Sequence, residues 1–156
     1  MQRVLLTGMS GTGKSTVIDR LSAQGYKAID LDYGGWTEVR SHPDGEETLW
    51  LEDRVAGLLA EEDADLLFIS GAARNQTKFY ERFDHVVLLS APTSVITERL
   101  RSRTNNPYGK HPTELARVLA LKETIEPALR RAADLEIDTS VPLEEVIRRV
   151  LEIVGR

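Results

Sequence analysis

The chain contains no cysteine, which excludes disulfide cross-links, thiolate metal centres and a cysteine nucleophile. Long apolar runs are missing too. No stretch approaches the roughly twenty residues of a membrane-spanning helix, and no charged-then-apolar start reads as a secretory leader. Positive charge is not in excess, since 20 Lys and Arg stand against 25 Asp and Glu for a net charge of −5. No nucleic-acid or membrane partner is therefore expected. The 3 histidines show no metal-ligand spacing, and neither internal repeats nor low-complexity segments occur. A length of 156 residues suits one domain, 1–156, with one core. These absences point to a cytoplasmic protein, and with a glycine-rich loop beginning at residue 8 no cleaved leader is expected.

What is present starts in that loop. Residues 5–16 read LLTGMSGTGKST, with the spacing Gly8-x-x-x-x-Gly13-Lys14-Ser15 of a P-loop. Gly8, Gly11 and Gly13 let the backbone close around a phosphate, and successive N–H groups then form an anion nest. The helix opening near Lys14 adds its positive end. Lys14 is expected at the β- and γ-phosphates of ATP, and the Ser15 hydroxyl on Mg²⁺. Ser10, Thr12 and Thr16 complete the expected nucleotide-binding set. The context agrees: Arg3–Thr7 reads as a buried strand, and Val17, Ile18 and Leu21 give helical spacing up to a stop at Gly25.

Strand and helix patterns alternate along the rest of the chain. Tyr26–Asp30 reads as a second strand, Leu31–Glu46 as a long functional connection, and Thr48–Glu61 as a helix. Asp65–Ser70 is a continuous apolar strand of the kind buried on both faces. A short helix over Gln76–Arg82, a strand over His85–Leu89 and a helix over Thr93–Arg103 follow. Beyond a polar loop, Thr104–Pro112, come a long helix, Thr113–Ala133, a strand, Leu135–Asp138, and a closing helix, Pro142–Val154. Alternating βα units predict a parallel sheet covered by helices on both faces. Ligands in such α/β sheets bind beyond the carboxyl ends of the strands.

Those strand ends carry the candidates. After the second strand, Asp30 and Asp32 are two residues apart and share a side in extended chain. One carboxylate suits a Mg²⁺ ion through water, and the other suits the proton of an acceptor hydroxyl. After the third strand, Arg74 has the planar fork for a substrate carboxylate or phosphate. Arg99 and Arg103 lie four apart on one helical face, where like charge costs a few tenths of a kcal/mol unless an anion offsets it. They lead into Thr104–Pro112, which is expected to be a phosphate-covering lid over residues 104–112. Arg40 and Arg74 suggest an anionic group on the acceptor. Tyr33 and Trp36 lie in the long connection, where aromatics near a cleft stack on bases or sugar faces, whereas Trp50 is expected to pack in the core.

Together these residues resemble the small P-loop kinases of metabolites and nucleotides, the adenylate, shikimate and gluconate kinases and their relatives. The resemblance covers nearly the whole chain in element order, with the P-loop as its specific part. It implies a three-layer α/β fold with a five-stranded parallel sheet in the order 2-3-1-4-5. It implies that Arg99 stacks on adenine, that Arg103 reaches the phosphates, and that the turn Asp138–Pro142, with Thr139, lines the adenine pocket. Asp30 then becomes the metal-side carboxylate and Asp32 the substrate-side one. The chain departs from the pattern where the third strand ends in Ser70-Gly71 without an aspartate. It departs again in the lid, which has Lys110 and His111 but no arginine; Arg117, Arg130 and Arg131 on the next helix are the candidates to assist. The implied activity is ATP- and Mg²⁺-dependent transfer of the γ-phosphoryl group to a small-molecule acceptor by a monomer, with Lys14, Asp32 and Arg103 in catalytic roles. A P-loop ATPase or a regulatory nucleotide-binding module without an acceptor is the alternative; the guanine-reading Asn-Lys-x-Asp of GTPases is absent.

Overall fold

The computed structural model of the chain describes residues 1–43, 45–104 and 107–156. Its elements run β1 (Gln2–Thr7), α1 (Lys14–Ala23), β2 (Lys27–Asp30), β3 (Thr37–His42), β4 (Gly45–Trp50), α2 (Glu52–Leu59), β5 (Leu66–Ser70), a 3₁₀ helix (Gln76–Arg82), β6 (His85–Ser90), α3 (Thr93–Ser102), α4 (Pro112–Ala132), β7 (Leu135–Asp138) and α5 (Leu143–Ile153).

Five strands form one parallel sheet in the order β2-β5-β1-β6-β7. With β3 and β4 set aside, this is the expected order 2-3-1-4-5. Both faces of the sheet are covered, and the period of two along the strands sorts side chains between them. In β1, Val4 and Leu6 pack toward Val17, Ile18 and Leu21 of α1 and Val146, Ile147 and Val150 of α5. Leu5 packs the other way, toward Val55, Leu58 and Leu59 of α2 and Phe79 of the 3₁₀ helix. Every residue of β5 is buried, which its unbroken apolar run requires of a central parallel strand.

The structure corrects the reading of residues 31–61. Thr37–His42 and Gly45–Trp50 pair as an antiparallel hairpin where a long connection and the start of a helix were expected, and α2 begins only at Glu52. The reason lies in cross-strand pairing. Thr37 faces Trp50 and Val39 faces Thr48, so β-branched and aromatic side chains meet on one side, as strands favour. Trp50 does pack in the core, 1% exposed, with its ring centroid 5.7 Å from that of Phe79. It does so from the end of β4 and not from a helix. The second departure is small: α3 ends at Ser102, which leaves Arg103 as an extended cap residue. Among the described residues no helix is long and apolar enough to cross a membrane.

Candidate functional site

The P-loop leaves β1 and enters α1 under tight packing. A Cβ on Gly8 would stand 2.3 Å from the Leu89 carbonyl oxygen, so only glycine fits there. Gly13 caps α1 with φ of +93°, a left-handed conformation that glycine adopts freely. The Thr12 hydroxyl donates to the Met9 carbonyl at 2.8 Å and the residue is fully buried. Thr12 thus braces the loop from within, while Ser10, Gly11, Gly13, Ser15 and Thr16 line the cleft above it.

Lys14 is buried, and its ammonium donates to the Gly8 carbonyl at 2.8 Å and the Met9 carbonyl at 3.1 Å. Burial pushes its pKa down, against the opposing pull of Asp32 and Asp30 and with Arg103 adding to the downward shift. Arg99 and Arg103 are also pushed below the usual guanidinium value, in both cases chiefly by burial. Three cations that have lost hydration therefore line one cleft, an arrangement that a polyanionic ligand relieves.

Asp30 and Asp32 meet at the mouth of the loop. The Ser15 hydroxyl donates to Asp30 Oδ2 at 2.5 Å, and the backbone N–H of Asp32 donates to Asp30 Oδ1 at 2.9 Å. The Asp32 side chain turns into the cleft. Its surroundings keep it in contact with water, yet crowding by protein raises its pKa above the ordinary carboxylate range; Lys14 opposes that shift and Asp30 reinforces it. At the end of β5 the buried Ser70 hydroxyl has no partner, and sheet register sets Ser70 beside Asp30. A hydroxyl, a carboxylate and an orphaned hydroxyl at the foot of a phosphate nest fit Mg²⁺, which takes few protein ligands and completes its shell from phosphates and water. Consistent with so sparse a donor set, the described residues hold no group of three or more His, Cys, Asp or Glu side chains that could enclose a metal.

Arg99 is held by three bonds. It donates to the Gly11 carbonyl at 3.3 Å, the Thr139 hydroxyl at 2.8 Å and the Thr139 carbonyl at 2.5 Å. The Thr139 hydroxyl in turn donates to the Thr12 carbonyl at 2.7 Å. The P-loop, α3 and the turn after β7 are thereby one hydrogen-bonded unit. The cleft lining also includes the apolar side chains of Val141, Leu143 and Val146, and of Leu121, Ile125 and Leu129 of α4. Arg103 lines the cleft and donates to the Tyr108 carbonyl at 2.5 Å.

Other expected residues are not brought together. Arg40 is exposed on β3, ion-paired with Glu38 at 2.8 Å and outside the cleft lining. Arg74 reaches the rim, 3.5 Å from Glu47 and largely exposed. Lys110 donates to the Arg101 carbonyl at 2.8 Å, and the His111 ring accepts from Thr113 N–H as the cap of α4. Neither lines the cleft. Asn105 and Asn106 of the expected lid lie outside the described residues. Arg117 does line the cleft and donates to the Glu46 carbonyl at 2.8 Å, whereas Arg130 is engaged by Glu126 and Glu136. The reading by sequence missed Glu46, Glu47 and Thr48, which the hairpin carries to the wall of a cleft of about 790 Å³. Their signal was the β-branched and aromatic alternation around Thr48 and Trp50.

The family model described as AAA domain matches residues 4–120. The chain belongs to the AAA domain family. This AAA domain is 30% identical over 158 residues to the dephospho-CoA kinase of Corynebacterium glutamicum, with 99% of the chain and 74% of that relative covered. It is 26% identical over 153 residues to a nucleotide-binding protein of Acidiphilium cryptum, covering 96% of the chain but 47% of the relative. The chain thus spans about half the length of the nucleotide-binding proteins it matches. Shikimate kinase from Acinetobacter baumannii, solved with shikimate, superposes with a TM-score of 0.67 at 18% identity, over 99% of this chain and 93% of that one. The resemblance to small P-loop kinases holds: the AAA domain is nucleotide-binding in family and kinase-like in fold.

Proposed function

We propose that the protein is an ATP- and Mg²⁺-dependent phosphotransferase that moves a γ-phosphoryl group to a hydroxyl of a small acceptor. One observation carries the reading. Asp32, with its raised pKa, enters the same cleft as Lys14 and Arg103, while Asp30 is held on the Ser15 hydroxyl two residues away. A second carboxylate in the cleft, beside the one bonded to Ser15, suits the proton of an acceptor hydroxyl.

Each residue then has a task. Ser15 and Asp30, with Ser70 behind them, would hold Mg²⁺, which would supply positive charge to offset the negative charge of the phosphates. Lys14 stabilises the β- and γ-phosphoryl oxygens, and Arg103 the charge that shifts during transfer. Asp32 accepts a hydrogen bond from the acceptor hydroxyl and takes its proton as the P–O bond forms. Arg99 and Thr139 support the nucleoside end, and the apolar side chains of α4 and α5 shield the base. A metabolite panel scored for acceptor-dependent ADP release tests the reading. Release that no acceptor accelerates would favour an ATPase or regulatory module instead.

A further inference from the structure

The hairpin has one covered edge and one open edge. On β4 the Thr48 carbonyl accepts from the Arg74 N–H at 3.0 Å. The Asn75 side chain brackets Trp50, accepting from its N–H and donating to its carbonyl, each at 2.9 Å. Backbone groups of an antiparallel strand point toward and away from the partner strand at alternate residues. Thr48 and Trp50 therefore point away from β3, and their partners across the hairpin, Val39 and Thr37, point away from β4. Ser41 follows by the same alternation. Among the described residues nothing outside the hairpin bonds to the backbone of these three. Val39 is 58% exposed, and Arg40, Ser41 and His42 beside it are exposed too. Such a row of unpaired N–H and C=O groups is a template for a further strand.

Charge decides which strand fits. Glu38 and Arg40 share one side of β3, where the Arg40 guanidinium donates to Glu38 Oε1 at 2.8 Å. A second β3, running antiparallel about a two-fold axis at Val39, would set Val39 against its own copy and Thr37 against Ser41. It would also set Glu38 of each chain against Arg40 of the other. All three outward residues then find partners, and both cross-strand charge pairs are of opposite sign, as stabilises a sheet. The ends of the main sheet, β2 and β7, do not offer this. The same operation on β7, centred at Ile137, opposes Glu136 to Asp138, which repel. On β2, Lys27 is taken by Glu61 and Asp63, and Asp30 by Ser15. We infer that β3 is a self-association edge, through which two copies of the chain join their hairpins into one four-stranded antiparallel sheet with an isologous interface. The dimer stands independently of the phosphotransferase reading and differs from the monomer that the resemblance to small kinases implied. Pairing along one short strand is small beside the roughly 1,200–2,000 Å² of a stable complex, so association should be weak and concentration-dependent.

Sedimentation velocity over roughly 5–500 μM protein should show the average coefficient rising toward that of a dimer. Glu38→Arg and Arg40→Glu each set like charges opposite one another and should weaken association about ten-fold or more. Mixed one to one, the two variants regain opposite charges at both positions and should associate as the wild type does. Because the chain contains no cysteine, Val39→Cys gives a second readout. Directly opposed residues of a bonded antiparallel pair lie about 5.5 Å apart at Cα, within disulfide reach. Mild oxidation of Val39→Cys should therefore yield a reducible covalent dimer, whereas Leu135→Cys on β7, 42% exposed, should cross-link far more slowly. Circular dichroism confirms that the variants are folded. A wild-type chain that stays monomeric throughout the range would overturn the inference. So would single variants that dimerise like the wild type, a mixture that stays apart, or Val39→Cys cross-linking no faster than Leu135→Cys.

Discussion

Lys14 and Asp32 line the same cleft, Lys14 buried and Asp32 open to water but crowded by protein, and the surroundings work against the charge of each. For Asp32 the folded-state pKa is raised, so its contribution to stability is full below the unfolded value and is lost as pH rises through the folded one. Because Asp32 is open to solvent, the cost of its charge at neutral pH is small. Asp32→Asn should melt at or above the wild-type temperature at pH 7 while transfer collapses; a clearly lower melting temperature would refute this. The pH profile of kcat should show an acid limb above the ordinary Asp value of about 3.9, and Asp32→Asn should erase it. Lys14 carries the opposite shift, a lowered pKa, so its stabilising contribution is lost as pH falls through the folded value. Its charge too is unfavourable to the fold at neutral pH. Lys14→Ala should abolish ATP turnover without unfolding the protein, checked by activity beside circular dichroism.

At the scale of elements, the contacts of Arg99 decide how the loop is held. It joins the P-loop to the turn between β7 and α5 through Gly11 and Thr139. Arg99→Ala should weaken ATP and ADP alike, by several-fold to about thirty-fold, corresponding to roughly 0.5–2 kcal/mol. Because Thr139 shares those bonds, Thr139→Val and Arg99→Ala should not add, with a coupling of about 0.5–3 kcal/mol in calorimetric affinities. Strict additivity would mean that the two act separately. Arg103→Ala should leave ADP affinity nearly unchanged and lower the rate of transfer. The hairpin is anchored differently, by Trp50 in the core at 1% exposure. Trp50→Ala should cost about 3–5 kcal/mol in denaturant unfolding and release the hairpin from the core.

For the whole molecule, net charge and surface pairs govern behaviour in acid. Arg148 and Arg149 hold the Glu145 carboxyl down to about 2, and Arg130 and Ser90 lower that of Glu136. Carboxyls of lowered pKa stabilise fully above their unfolded value, near 4.3 for Glu, and lose that contribution as pH falls through the folded value. Melting temperature should therefore decline from about pH 5 downward, and less steeply in high salt, which screens exposed pairs. A flat profile to pH 3 would contradict this.

Local chemistry made the P-loop, the parallel strands and the Asp30–Asp32 pair legible in the sequence, while the strand order was implied by the resemblance to small P-loop kinases. Glycine spacing, unbroken apolar strands and a two-residue carboxylate repeat are properties of short segments. The hairpin was not legible, because its strands are stable only through each other and through the seat of Trp50 beside Phe79. That pairing decided which residues line the cleft, bringing in Glu47 and leaving out Arg40. The sequence likewise placed Arg99 and Arg103 on one helical face, but only packing made Arg99 a bridge to Thr139, forty residues away. Sequence alone determined which phosphate-binding chemistry the chain carries, since backbone conformation and residue type suffice for it. Tertiary structure alone decided which charged side chains share the cleft, since that depends on which distant segments meet in one wall.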